Sequence, residues 1–221
     1  MHPLDRYKHV EGQVRWTEAR KLYELAKRIP PIYTVVVEIG SYRGRSTLAL
    51  AQGLKDGYGG NVIAIDPHYN ADGYCKQDAD IMDANIGESG LQNIQQIRAL
   101  SQHVAGEVPT YIDMLWIDGD HSPEGVMRDF ELYAPRIKQG GIIALHDTQY
   151  RGPWTVVHDR ILEGKEFGQV HSWWSMIYAV KNGRGTTVQN KLAVLACHHA
   201  LATAARIEHW FTGDEIDGKT I

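Results

Sequence analysis

Five strand-like runs in this chain each end on a side chain able to hold a proton, a cation or a hydroxyl. Four of the ends are acidic: Glu38 after Val35-Val36-Val37, Asp66 after Val62–Ile65, Asp118 after Leu115-Trp116-Ile117, and the pair His146-Asp147 after Ile142–Leu145. The fifth run ends at Ser101. Acids gathered at one rim repel each other unless a cation, a ligand hydroxyl or a hydrogen-bond donor lies among them. One acidic end would be unremarkable; several together predict a site. The first end opens a turn of the pattern E-x-G-x-x-x-G, Glu38 to Gly44, followed by Arg45-Ser46-Thr47 and an apolar helical pattern. Gly40 and Gly44 let backbone approach a ligand, and the helix amides beyond them welcome a carboxylate or phosphate. Asp66 suits the hydroxyls of a ribose. The spacing is not the G-x-G-x-x-G of dinucleotide sites, which argues against an NAD(P)-dependent oxidoreductase.

The elements that must position these residues alternate strand and helix. After an irregular arm at 1–16, Thr17 can cap a helix over 18–29, stopped by Pro30-Pro31. Strands are predicted at 33–39, 62–66, 94–100, 111–118 and 142–146. The strand at 94–100 is mixed in polarity, as an edge strand would be. Helices are predicted at 45–55, 77–87 and 101–107, and from Ser122-Pro123 to Lys138, where Gly140-Gly141 ends the last of them. A loop fills 68–76. A helix over 154–163, two short strands within 168–181, a turn at Asn182-Gly183-Arg184-Gly185 and a helical stretch over 190–210 complete the chain. The order predicts an α/β fold: a doubly wound, mostly parallel sheet with helices on both faces. Ligands bind such sheets outside the carboxyl ends of the strands, where the acids fall.

With 221 residues the chain suits a single domain, 1–30 being an arm and helix and 190–221 a C-terminal helical extension. The formal charge of −4 gives no cationic footprint for nucleic acid or an anionic membrane. No run of about 18 apolar residues and no secretory pattern occurs, and the two distant cysteines, Cys75 and Cys197, fit reduced thiols; the expected location is the cytoplasm. The apolar C-terminal helix suggests a homo-oligomer. Trp173, Trp174, Trp154 and Tyr150 read as core residues that alternatively enclose an acceptor. His198, His199 and His209 read as surface or interface residues.

The stretch Val36–Ala51 resembles the first motif of class I S-adenosylmethionine-dependent methyltransferases of Rossmann-like, seven-stranded fold. It is most similar to the small metal-dependent O-methyltransferases of the catechol type and to the family that methylates antibiotic and sugar hydroxyls. Ile117–Val126 and Gly140–Thr148 resemble the later motifs of the second group, and the likeness covers about residues 10–181. It implies a methyl transfer from S-adenosylmethionine to a hydroxyl of a small molecule, a sugar or natural product.

Carried over by position, Glu38, Gly40, Ser41, Tyr42, Gly44, Ser46 and Thr47 line the cofactor pocket, with Ser46 toward the methionine carboxylate. Asp66 takes the ribose hydroxyls, Ser101 and Gln102 approach the adenine, and Asp118 completes the set. For Ser101 a plain helix cap is an equal reading, compatible with the first. The resemblance makes Asp118, His146 and Asp147 ligands of a divalent metal, Mg²⁺ first and Mn²⁺ or another next. The relatives carry an acid where His146 stands, which leaves the metal's identity open; the alternatives are that His146 caps the strand and only Asp147 faces the cleft, or that no metal binds. His121, three residues after Asp118, occupies the position of the general base, with Asp120 beside it to orient or charge it; a loop residue bonded to backbone, or a neighbour of the metal, is an equal reading. His68 is a pocket wall or loop residue. Two further readings compete: a metal-independent methyltransferase using His121 alone, and a non-catalytic cofactor-binding protein.

Overall fold

Val35, Val36 and Val37 favour extended backbone, and four of the five residues of strand β1 (Val35–Ile39) are buried, as expected of a strand covered on both faces. The computed structural model describes residues 1–31, 33–68 and 76–212; for Lys76 and residues 205–212 only the backbone is described. Most of the expected loop at 68–76, with Cys75, and the end of the extension at 213–221 lie outside the described residues. The strands form one seven-stranded sheet in the order β3-β2-β1-β4-β5-β7-β6. By contacts the chain divides into two compact units, Met1–Trp116 and Ile117–Ile221.

In the first unit, helix α1 (Trp16–Lys27) buries Ala19, Leu22, Tyr23 and Ala26 along one stripe, packed on helix α2 (Arg45–Asp56). Strand β2 (Asn61–Ile65) pairs in parallel with β1, Val36 opposite Val62. Helix α3 (Lys76–Ser89) leads to strand β3 (Ile94–Ile97), parallel to β2 and at the sheet edge that its mixed polarity predicted. Helix α4 (Ser101–Val104) is capped by Leu100 rather than Ser101, which is its first residue. Strand β4 (Ile112–Ile117) follows. The N-terminal arm is not loose. Its Pro3–Tyr7 segment is a 3-10 turn that buries Leu4 and Tyr7, and Tyr7 Oη donates to Gln52 Oε1 at 2.8 Å. Arg45 holds the arm by donating to the carbonyls of Val10 and Val14 at 3.0 and 2.6 Å.

In the second unit, helix α5 (Pro123–Tyr133) stops five residues short of the predicted Lys138. Pro135 has no N–H to continue the helix, so Ala134–Arg136 tightens into a 3-10 turn and strand β5 (Ile137–Leu145) begins at once. Gly140-Gly141 therefore lies inside β5 instead of ending the helix. Helix α6 (Arg151–Val156) continues as a wider π-helical turn over Val157–Leu162. Strands β6 (Phe167–Trp173) and β7 (Met176–Lys181) form a hairpin, with β7 antiparallel to β5. Helix α7 (Val188–Thr212) is tied to β6 by Asn190, whose amide accepts from Val170 N at 2.7 Å and donates to Val170 O at 2.6 Å.

Candidate functional site

The glycine turn of the first unit is built around Asp66. Gly40 and Gly44 have φ of +86° and +90°, a backbone that costs a glycine little. Tyr42 shares this left-handed conformation at φ +47°. What holds it there is the Asp66 carboxylate: Oδ2 accepts from the N–H groups of Ser41 and Tyr42 at 2.9 and 2.8 Å, and Oδ1 from His68 N at 2.9 Å. The buried His68 ring closes the loop, with Nε2 2.7 Å from Tyr42 O. Glu38, fully buried, accepts from Thr47 Oγ1 at 2.5 Å and so fixes the first turn of α2 to the end of β1. Ser41 and Ser46 are also buried. Arg43 braces the outside through Asp78 at 2.7 Å and through Glu11. Gln102 leaves its Oε1 buried with no hydrogen-bond partner among the described residues, an acceptor waiting for a donor.

The second unit gathers the other acids. Asp118 follows β4, while His146 and Asp147 follow β5, with His146 N donating to Ile117 O at 3.1 Å. Asp147 sits at φ +49°, a conformation that aspartate tolerates better than most residues. Ligand atoms of Asp118, His121 and Asp147 all lie within 4.8 Å of one another. His121 Nε2 is 3.7 Å from Asp118 Oδ1 and 3.7 Å from Asp147 Oδ2. It is buried with no hydrogen-bond partner among the described residues. His146 Nδ1 lies 3.0 Å from Asp118 Oδ1 and 3.4 Å from Asp147 Oδ2. The four groups thus alternate, each acid between two rings.

Burial works against charge on the His121 ring, but Asp118 and Asp147 outweigh it and raise its pKa above the ordinary histidine value. Burial likewise opposes ionisation of Asp147, and His146 and His121 overcome it, so that its carboxyl is more acidic than usual. Tyr150 stacks on His121 with ring centres 5.6 Å apart. Gly152, at the start of α6, touches the His121 loop so closely that a Cβ there would collide with the His121 carbonyl.

Several sequence expectations are corrected. Asp120 does not serve His121; its carboxylate accepts from Ser122 N and Oγ at 2.8 and 2.9 Å, fixing the Ser122 cap of α5. Trp173 and Trp174 are not core residues, being 40% and 52% exposed at the β6–β7 tip. His198 is buried, not on the surface, and stacks flat on Trp154 with centroids 3.4 Å apart. The side chain of His209 lies outside the described residues. Ser175 joins the group without any sequence signal: its hydroxyl is 3.1 Å from His146 Nε2. No motif marks it, since a hairpin tip reading Trp-Trp-Ser lacks the glycine or asparagine that announces a tight turn.

Residues 37–148 match a family model described as a methyltransferase domain. The chain belongs to this methyltransferase family. Among curated proteins it is similar to Uncharacterized protein R132 of Acanthamoeba polyphaga mimivirus, at 35% identity over 118 residues, 51% of each chain. It therefore spans about half the length of that relative. The fold of this methyltransferase-family chain is shared with an O-methyltransferase from Bacillus cereus solved in complex with SAH, at a TM-score of 0.60 and 19% identity, covering 80% of this chain and 87% of that one. It is also shared with TomG from Streptomyces achromogenes, an O-methyltransferase of tomaymycin synthesis solved with SAM, at 0.62 and 14%, covering 81% and 86%. The described residues include no helix long and apolar enough to cross a membrane.

Proposed function

We propose that this member of the methyltransferase family transfers a methyl group from S-adenosylmethionine to a hydroxyl of a small molecule, a sugar or natural product, with help from a divalent cation and from His121. The observation that carries the reading is the convergence of Asp118, His121 and Asp147 at the carboxyl ends of β4 and β5. The O-methyltransferase fold neighbours and the net charge of −4, which gives no cationic field for nucleic acid, support the acceptor class.

The donor set fits both groups. In the first unit, the turn from Gly40 to Gly44 and the amides at the start of α2 suit the methionine portion, Ser46 facing its carboxylate. A carboxylate offers about four acceptor positions; three of Asp66's are taken by backbone N–H groups, leaving one for a ribose hydroxyl. The orphaned Oε1 of Gln102 matches an exocyclic amino group. In the second unit, Asp118 and Asp147 supply hard oxygens for Mg²⁺ or Mn²⁺. When bound, the cofactor supplies an electrophilic methyl on a sulfonium, and the cation makes an acceptor hydroxyl more acidic. The protein's own work is to align the acceptor oxygen behind the methyl carbon, exclude water and remove a proton. His121 Nε2, buried between two carboxylates, takes the acceptor's proton, and both acids stabilise the resulting imidazolium.

The equal 3.7 Å distances also favour a second reading, in which His121 is a third cation ligand. The test is calorimetry with S-adenosylhomocysteine and Mn²⁺, with turnover of a hydroxyl-compound panel with and without EDTA. His121→Ala is expected to cut turnover about 10²–10⁴-fold with Mn²⁺ affinity intact; lost Mn²⁺ binding supports the ligand reading. No binding of S-adenosylhomocysteine refutes the proposal.

A further inference from the structure

The tip of the β6–β7 hairpin is tied to the acid–histidine group by its one hydroxyl. Trp173 pairs with Met176, so Trp174 and Ser175 make a two-residue loop. Trp174 holds φ +55° where a glycine or asparagine would sit at less cost. Three of the contacts that anchor the tip run through Ser175. The Ser175 carbonyl accepts from Thr148 N at 2.9 Å and from Thr148 Oγ1 at 3.0 Å, and Thr148 is wholly buried. The third contact is Ser175 Oγ to His146 Nε2, at 3.1 Å.

We infer that Ser175 is a positioning residue: acting through His146, it orients the Asp118 carboxylate and keeps His146 itself out of the cation's ligand set. The direction of the bonds follows from what each atom can do. A carboxylate oxygen only accepts, so His146 Nδ1, 3.0 Å from Asp118 Oδ1, carries the proton. The Nε2 of a neutral ring is then an acceptor, and the Ser175 hydroxyl donates to it. The chain Ser175 to His146 to Asp118 selects one tautomer and one ring orientation, the arrangement by which outer groups hold a metal ligand in place. Neither ring nitrogen keeps a free lone pair for a cation, so the ligands fall to Asp118 and Asp147. This explains how a histidine stands where the resembling families carry an acid. The inference rests on the proposed cation site, but its first readout does not.

The experiment is long-range ¹H–¹⁵N correlation NMR of ¹⁵N-histidine-labelled protein, with His146 assigned from the spectrum of His146→Gln, alongside Mn²⁺ calorimetry. Wild type is expected to show His146 protonated at Nδ1. Ser175→Ala is expected to lose that single pattern and to bind Mn²⁺ about tenfold more weakly. Ser175→Thr keeps the hydroxyl and is expected to restore both, which a mere packing role would not explain; the Thr148 bonds use backbone that both variants retain. An unchanged His146 pattern in Ser175→Ala, or a wild-type proton on Nε2, overturns the inference. If wild type binds no Mn²⁺ while the pattern still depends on Ser175, the cation part of the proposed function fails and the positioning role stands.

Discussion

Replacing Asp66 by alanine should unfold the turn before it weakens any ligand. The carboxylate accepts from three backbone N–H groups, those of Ser41, Tyr42 and His68, all at 2.8 to 2.9 Å, and the side chain is nearly inaccessible to water. Hydrogen bonds to a charged acceptor contribute roughly 1.5–3 kcal/mol each, and removal also relieves the carboxylate's own desolvation, so the low end applies. Three bonds give a loss of about 4.5 kcal/mol. In a chain of this length that corresponds to a melting point lower by roughly 9–18 °C. Asp66→Asn can turn its oxygen toward Ser41 and Tyr42 but then sets its amide against the His68 N–H, so it should lose about a third to a half as much. Urea unfolding followed by circular dichroism, without cofactor, measures both. If Asp66→Ala keeps its stability to within about 1 kcal/mol while S-adenosylhomocysteine binding collapses, Asp66 is a ligand-binding group only and the reasoning fails.

Burial, with His199 adding to it, depresses the His198 pKa from 6.5 to about 4. Between those values the unfolded chain binds a proton that the folded chain excludes, so stability should fall as pH drops through this window. His198→Phe keeps a ring against Trp154 and should flatten that fall, as read from urea midpoints at roughly pH 7.5 and pH 5. Gly152→Ala must move the His121 loop, because its Cβ would meet the His121 carbonyl. We expect a stability cost of about 1–3 kcal/mol and a turnover loss of roughly 10²-fold from the misplaced ring, measured by thermal melts and a methylation assay.

The framework was legible because its signals are local. A run of β-branched residues, an acid, a glycine turn and an apolar helix pattern can be read without neighbours, and so can the mixed polarity that placed β3 at the edge. Pro135 was equally visible, yet the period of Val126, Phe130, Tyr133 and Ile137 carried the predicted helix past it; Ile137 is buried, but as the first residue of β5. Partners were harder to read than positions. Asp120 lies next to His121 in the chain, but its carboxylate turns back to the Ser122 cap. The acids that reach His121 come from the end of β4 and from a strand 26 residues on. Burial of His198 depends on Trp154, which only the docking of α7 supplies. Ser175 could be found only once β6 and β7 were folded into a hairpin.

The alternation of acids and histidines bears on why this group of side chains can exist at all. Two carboxylates this close would repel and raise each other's pKa if they stood alone. Here His121 lies 3.7 Å from both, and His146 lies 3.0 and 3.4 Å from the same two oxygens, so each acid has a ring on either side. Asp147 is accordingly more acidic than usual despite its burial. The two rings are not equivalent. Ser175 and Asp118 occupy both nitrogens of His146, whereas His121 Nε2 makes no hydrogen bond among the described residues and its side chain is 27% exposed. One ring is fixed at both nitrogens; the other is not. A third acid at position 146 would add repulsion that a bound cation would have to offset. The histidine adds no such charge, so the four side chains keep their arrangement without one.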